Sequence, residues 1–399
     1  MATVHSAGDY LVLCASSCIY ALKISEDELF IGGKLDVNEE QGSLLLLKET
    51  LKDQEQEQDS KGTGDAHVEI LSSTVSRCES LLAVATSAKT VLILNLPSLK
   101  VQRCFRIPKA PTSITFDQDD SHVVVGDRAG HVCRYTVATT NTSGYTDMNG
   151  DWSSCEGEPL LGTISMVLDV AISGDGRYLL VADRDEKIRI SRYPEAYAIQ
   201  SFCLGHSAYV STIALHGGRL FSSGGDSVVH EWDMERGTCL ARSEKISENP
   251  VRRMCICETE NKVWIAAIAG RELTVLDEKL KVVNKFSSSD PLMDITSHKG
   301  NIIGVSSSSV IVFNLSDGSS RSAHIPTELL QSLSMSRDPI PSYFKNVTHQ
   351  NMFEYFKRKE EKMESIKENK IRKRKARQSR KAAAKMKKIT NETEVAVAS

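Results

Sequence analysis

A repeat of about 41 residues runs through most of this chain and limits the folds it can adopt. Short apolar runs recur in register, bounded by Gly, Asp and Ser, and helical periodicity is nearly absent before residue 326. The aligned central residues are Ser73, Ile114, Val170, Ile213, Met254 and Ile295. Four short strands in a period of 40–45 residues are typical of β-propeller blades, so we predict an all-β propeller.

Six units fall between residues 67 and 323, and the strands of residues 10–24 supply a seventh. We therefore predict a seven-bladed propeller over residues 1–325; six or eight blades remain open because the first and last units are weakly marked. Its N-terminal strand is expected to pair with the last blade and close the ring. Residues 48–67 and 138–160 are polar and are predicted to be surface insertions.

One unit carries the residues of a WD repeat. Gly205-His206 is followed by Asp226 and then by Trp232-Asp233. A carboxylate that holds a turn and orients a histidine beside a tryptophan predicts a buried hydrogen-bond network. We assign structural roles to His206, Asp226 and Trp232, and also to Asp185, which aligns with Asp226 in the preceding unit.

The hairpin of that preceding unit is unusually charged, with five charged residues at 183–187. Strand alternation places Ile188 and Ile190 on one face, and Lys187 and Arg189 on the other. Neighbouring units carry other residues at the two outward positions, namely His131 and Cys133, or Val228 and His230. The fold therefore does not require the two cations, and both a solvated hairpin and an anionic partner remain open.

The net charge of −3 conceals two opposite parts. Residues 357–399 contain 16 Lys and Arg against 6 Asp and Glu, whereas the rest has 33 against 46. The tail is predicted to bind RNA phosphates or to direct nuclear import. Candidate RNA contacts are Lys370, Arg372, Lys373, Arg374, Lys375 and Arg377.

Residues 326–356 are predicted to connect the propeller to this basic, partly helical tail. A docking helix is expected to begin within residues 341–351, with Met352, Phe353 and Phe356 on one face.

The motifs of common enzymes are missing from the sequence. It has no G-x-G-x-x-G or G-x-S-x-G, and its histidines lack metal-ligand spacing. We predict no catalytic residues, no cofactor and no metal. No apolar run is long enough to cross a membrane, and the ten scattered cysteines are typical of reduced thiols in the nucleus or cytosol.

Two stretches of the sequence resemble a known family. "LDVAISGDGRYLLVADRDEKIRIS" (168–191) and "YPEAYAIQSFCLGHSAYVSTIAL" (193–215) closely resemble the non-catalytic WD-repeat subunit of the tRNA (guanine-N7)-methyltransferase. In the second stretch, Tyr209-Val210-Ser211 replaces the family's usual Phe-Val-Ser. The segment "SYFKNVTHQNMFEYFKRKEEK" (342–362) is similar to the C-terminal part of that family.

The resemblance implies a scaffold that forms a heterodimer with a separate class I, S-adenosylmethionine-dependent catalytic subunit. That complex would bind tRNA and methylate N7 of a variable-loop guanosine. The reduced cysteines and the basic tail predict that the protein is in the nucleus, with the cytoplasm as a second location. The implied partner-binding residues are Lys187 and Arg189, supported by Asp183, Arg184 and Glu186. The alternative is a WD-repeat adaptor of another complex, either a ubiquitin-ligase substrate receptor or a ribosome-assembly scaffold.

Overall fold

The computed structural model describes residues 1–25, 28–39, 68–138, 157–259, 262–344 and 357–365, together with residues 368 and 372. The chain divides into two compact units, Met1–Asp338 and Pro339–Ser399. In the described part of the first unit, 28 strands form seven four-stranded antiparallel sheets. The predicted seven-bladed propeller is therefore confirmed.

The strands of each blade follow one another in the chain. Blades one to three consist of β1 (Ala2–Ala7), β2 (Tyr10–Ala15), β3 (Cys18–Ser25), β4 (Glu28–Asp36), β5 (Ile70–Val75), β6 (Leu81–Thr86), β7 (Thr90–Asn95), β8 (Lys100–Arg106), β9 (Pro111–Phe116), β10 (His122–Asp127), β11 (His131–Thr136) and β12 (Glu158–Gly162). Blades four and five consist of β13 (Val167–Ile172), β14 (Tyr178–Asp183), β15 (Lys187–Arg192), β16 (Ile199–Leu204), β17 (Val210–His216), β18 (Arg219–Gly224), β19 (His230–Asp233) and β20 (Thr238–Arg242). Blades six and seven consist of β21 (Arg253–Thr259), β22 (Lys262–Ala269), β23 (Glu272–Leu276), β24 (Val282–Ser287), β25 (Leu292–His298), β26 (Asn301–Ser306), β27 (Val310–Asn314) and β28 (Ser320–Ser322).

The ring closes without exchange of a strand, so the predicted pairing of the N-terminal strand with the last blade is wrong. Strand β1 pairs with β2 in its own blade, because β28 already supplies the fourth strand of blade seven. The first strands contact one another in a closed cycle that includes β1 against β25. Apolar packing between Val4, Leu13, Met293 and Val305 joins the first and last blades.

A set of hydrogen bonds links the innermost strands of neighbouring blades. In each of them, a buried side chain near the start of the first strand of one blade accepts a hydrogen bond from a backbone N–H group in the first strand of the next blade. These contacts are Val170 N to Ser113 Oγ (3.1 Å), Ile213 N to Asp169 Oδ2 (2.8 Å), Met254 N to Thr212 Oγ1 (3.2 Å) and Val4 N to Asp294 Oδ2 (2.9 Å). Arg253 lies between the two carboxylates, 3.6 Å from Asp169 and 3.3 Å from Asp294.

The two predicted insertions fall largely outside the described residues. Residues 48–67 are not described at all, and 139–156 are not described in the second insertion. The last residues of the range 138–160 belong to β12, because this strand completes the sheet of blade three.

The connecting segment begins with a helix, α1 (Thr327–Met335), that packs on blade one. Its Leu329 and Leu333 are fully buried, and Tyr20 Oη lies 2.8 Å from Ser332 Oγ. A short helix α2 (Ile340–Tyr343) follows, and residues 357–365 are helical and exposed. The predicted apolar face of Met352, Phe353 and Phe356 lies outside the described residues.

The nine cysteines of the described segments form no disulfide. None of the described helices has the length and hydropathy needed to cross a membrane.

Candidate protein-binding surface on blade four

The charged hairpin joins β14 to β15 and is organised around one buried carboxylate. Asp183 is almost fully buried; it accepts the N–H of Asp185 at 2.9 Å and pairs with Lys187 Nζ at 2.7 Å. Burial raises the pKa of Asp183, because the charged form loses its water. Lys187 is therefore the neutralising partner of a carboxylate inside its own turn.

The structural role predicted for Asp185 belongs instead to Asp183. Asp185 is exposed, and its carboxylate lies 4.0 Å from Lys187 Nζ. Asp226 accepts the N–H of Val228, two residues ahead, in the same way that Asp183 accepts the N–H of Asp185. The alignment itself is right, because the β14–β15 and β18–β19 registers match at a step of 41 residues and place Asp185 at the position of Asp226. The prediction failed because the buried carboxylate of this turn is two residues earlier in blade four, at Asp183.

Blade three uses the same turn with a different partner. Asp127 accepts the N–H groups of Ala129 at 2.8 Å and His131 at 2.9 Å, and its other oxygen lies 3.3 Å from His131 Nδ1. The residue four positions after the buried carboxylate therefore supplies its side-chain partner, a histidine in blade three and Lys187 in blade four.

Arg189 is held by oxygen atoms that carry no full charge. Its Nε donates to Ser191 Oγ at 2.9 Å, and its terminal nitrogens donate to the carbonyl oxygens of Gly162 at 3.3 Å and Ala196 at 3.0 Å. Burial lowers the pKa of Arg189, and no nearby charge acts on it within the described part of the chain. The guanidinium is thus fixed in place while two of its five N–H donors stay available.

The other two charged residues of the hairpin border this pair. Arg184 is half-buried, and its N–H donates to the carbonyl oxygen of Met166 at 3.1 Å. This contact ties the hairpin to the loop of residues 163–166. Glu186 occupies the last turn position with a left-handed backbone, φ 67°.

Two exposed apolar side chains lie beside the cations and a third lies in the adjoining loop, and the sequence analysis did not single them out. In the β15–β16 register, Lys187 is opposite Leu204 and Arg189 is opposite Phe202, so all four share one sheet face. Leu204 is 68% exposed, Phe202 is 38% exposed, and Ile164 in the adjoining loop is fully exposed. A signal was present, because Phe202 and Leu204 occupy alternate positions of an outer strand, where polar residues are expected.

The residues predicted to form the network of blade five come together. Trp232 Nε1 donates to Ser222 Oγ at 2.8 Å, Ser222 Oγ lies 2.7 Å from His206 Nε2, and His206 Nδ1 lies 2.8 Å from Asp226 Oδ2. Ser222 is the member that the sequence analysis missed. His206, Asp226 and His230 are close enough for a metal ion, but hydrogen bonds engage both nitrogens of His206.

The structure describes one of the six basic residues proposed to contact RNA. Arg372 is helical and exposed. Lys370, Lys373, Arg374, Lys375 and Arg377 lie outside the described residues.

Seven four-stranded blades with a Trp–Ser–His–Asp network in one of them define a WD-repeat β-propeller. A family model described as "tRNA methyltransferase TRM82 WD40 domain" matches residues 139–288, which include all of blade four. The chain is similar to this TRM82-type WD-repeat family over those residues, and the resemblance predicted from the sequence is confirmed.

Curated relatives share the name "tRNA (guanine-N(7)-)-methyltransferase non-catalytic subunit". The Caenorhabditis elegans protein is 38% identical over 273 residues, covering 67% of this chain and 66% of the relative. The Danio rerio protein wdr4 is 31% identical over 250 residues, covering 60% and 54%. The Homo sapiens protein WDR4 is 33% identical over 174 residues, covering 43% and 39%. The chain thus spans just under two thirds of the nematode relative and about half of the zebrafish one.

Proposed function

We propose that this chain is a non-catalytic scaffold that binds an S-adenosylmethionine-dependent, class I methyltransferase subunit as a heterodimer. The complex methylates N7 of a guanosine in the variable loop of tRNA. One observation carries the proposal: the fixed guanidinium of Arg189 lies beside Lys187 on a partly exposed face within the matched region 139–288.

The chemistry of this face favours a partner that presents carboxylates. Arg189 has no ion pair among the described residues, and its remaining N–H groups can donate to a carboxylate as a charge-assisted hydrogen bond. The hydrogen bonds to Ser191, Gly162 and Ala196 hold it in one orientation, which reduces the entropy lost on binding. Arg184 and Glu186 adjoin the pair as supporting contacts, whereas Asp183 acts from inside by holding Lys187.

The basic tail is assigned to tRNA and to nuclear import. Its lysines and arginines would neutralise phosphates and position the tRNA without reading its sequence, while the catalytic subunit selects the base. As a nuclear-import signal, the tail would direct the protein to the nucleus, with the cytoplasm as a second location.

Purification of the tagged chain from its own cells tests the choice of partner. We expect one class I methyltransferase to be recovered in a 1:1 ratio, and its recovery at 0.15 M salt to fall when Arg189 is changed to Gln. Recovery of ubiquitin-ligase components or ribosome-assembly factors instead would overturn the proposal and favour the adaptor alternative.

Deletion of residues 370–399 tests the role of the tail. The truncated chain should still bind the methyltransferase, but the complex should bind tRNA more weakly and with a shallower dependence on salt, because fewer counterions are released. Electrophoretic mobility shifts across a salt series would measure the slope. An unchanged slope would contradict the assignment to RNA and leave the tail with transport alone.

A further inference from the structure

We infer that the strength of the complex comes from an apolar patch on blade four, and that the two cations orient the partner. The blade-four patch consists of Ile164, Phe202 and Leu204 around Lys187 and Arg189. This inference rests on the proposed function and specifies which surface of this chain the catalytic subunit covers.

The patch is built on two strands and on the loop after Gly162, whose carbonyl oxygen accepts a hydrogen bond from Arg189. Leu204 and Phe202 are paired with Lys187 and Arg189 across β15 and β16, so the four side chains alternate as apolar and cationic neighbours on one face. The loop that carries Ile164 is attached at both ends. Thr163 N donates to Gly130 O at 2.7 Å, and Arg184 N donates to Met166 O at 3.1 Å. The patch is therefore formed before any partner binds.

The described part of the chain offers no structural reason for the exposure of the apolar side chains in the patch. The opposite face of the same strands is buried, since Ile188, Ile190 and Cys203 are fully buried against blade five. A solitary exposed leucine is ordinary, but two large apolar side chains beside a fixed guanidinium, with a third in the adjoining loop, are of the kind that marks a protein interface.

The charges limit what can cover the patch. Arg189 has no carboxylate partner among the described residues, and Lys187 already neutralises Asp183. A complementary surface must therefore offer a carboxylate to Arg189 and apolar side chains to Leu204, Phe202 and Ile164. We identify this occupant as a surface segment of the methyltransferase that combines apolar residues with one or two acidic ones.

Two matched variants separate the apolar contribution from that of the charges. Leu204→Gln removes an apolar side chain from the patch, and Val283→Gln makes a similar change on the outer strand of blade six, where Val283 is 55% exposed. The Kd for the methyltransferase should rise at least tenfold for Leu204→Gln and for Ile164→Gln, at both 0.15 M and 0.5 M salt. The Kd of Val283→Gln should stay within twofold of that of the wild-type chain.

Arg189→Gln provides the contrast, because its effect should be large at 0.15 M salt and small at 0.5 M. Circular dichroism and thermal unfolding of each variant confirm that the propeller is folded. If the wild-type chain binds but Leu204→Gln and Ile164→Gln bind within twofold of it, the inference is wrong and the proposed function stands. If the wild-type chain does not bind a methyltransferase, both the inference and the proposed function are wrong.

Discussion

At the scale of single residues, the charged hairpin has divided roles. Asp183 and Lys187 form a largely buried pair that holds the turn, whereas Arg189 is oriented by neutral oxygen atoms and remains available to a partner. Charge alone does not reveal this division. Lys187 and Arg189 are equivalent in the alternation of the strand, and each has an aspartate four residues before it. Only Asp183, the partner of Lys187, is buried and forms the ion pair of the turn.

Two substitutions of Lys187 test its internal role. Lys187→Ala leaves the buried carboxylate of Asp183 without its partner and should lower the free energy of unfolding by about 1–3 kcal/mol. Lys187→Gln keeps an N–H donor within reach and should cost less. Urea unfolding of both variants measures the difference. Equal stability of Lys187→Ala and the wild-type chain would show that the pair contributes nothing to the fold.

The sequence analysis identified the hairpin but assigned its structural aspartate two residues too late. Strand alternation was a reliable guide, since Ile188 and Ile190 are fully buried. The alignment with Asp226 was also right, since the β14–β15 and β18–β19 registers match at a step of 41 residues, but it could not show that Asp183 is the buried carboxylate of this turn. Phe202 and Leu204 belong to the stretch that resembles the family, but their pairing with the cations depends on the register of β16.

At the scale of elements, helix α1 belongs to the propeller, because its apolar side chains enter the cluster that joins the first and last blades. Its N-terminus has no side-chain cap, so packing on blade one stabilises it in place of local hydrogen bonds. Ser16 N also donates to Ser336 Oγ at 2.9 Å, which fixes the chain directly after the helix. The sequence predicted a connecting segment here but placed its helix later, since nine residues give a weak periodic signal.

Alanine substitutions along α1 test this packing. Leu329→Ala and Leu333→Ala each remove a fully buried side chain and should lower the free energy of unfolding by about 2–5 kcal/mol. Leu330→Ala is the matched control, because Leu330 is 37% exposed on the same helix and its loss should cost about 0.5 kcal/mol. Equal losses for all three in urea unfolding would contradict the docking of α1.

At the scale of the whole molecule, the 41-residue repeat predicted the propeller, because each blade buries its faces only against its neighbours. It marked six blades, and the strands of residues 10–24 supplied the seventh. The closure of the ring was not predictable in this way. Whether β1 pairs with blade seven depends on whether the chain supplies β28, a three-residue strand without a sequence signal. The hydrogen bonds between first strands were also hidden, since Ser113, Asp169, Thr212 and Asp294 share a position but not a residue type.

The stability of the propeller should fall as the pH falls from about 6.5 to about 4. Burial lowers the pKa of His5 and of His230 to about 4, so in this window the unfolded chain binds protons that the folded chain excludes. Each such histidine costs about 1.4 kcal/mol per pH unit. The carboxyl groups with lowered pKa, such as Asp117 at about 2, lose their contribution only below their ordinary pKa of 3.8.

His230→Phe supplies the control, because it keeps a ring stacked on Trp232 while removing the titrating group. Its stability should fall less steeply than that of the wild-type chain when urea unfolding is followed from pH 7 to pH 4.5. Parallel curves for the two proteins would show that His230 titrates normally in the fold.

The most direct measurement of the central claim is methyl transfer from S-adenosylmethionine to tRNA, with N7-methylguanosine as the product detected. The reaction is run with this chain alone, with the co-purified methyltransferase alone, and with both at equal concentration. The scaffold account predicts no product from this chain alone, little from the methyltransferase alone, and at least a tenfold higher rate from the two together. Product formed by this chain alone, or a methyltransferase whose rate is unchanged by it, would contradict the account.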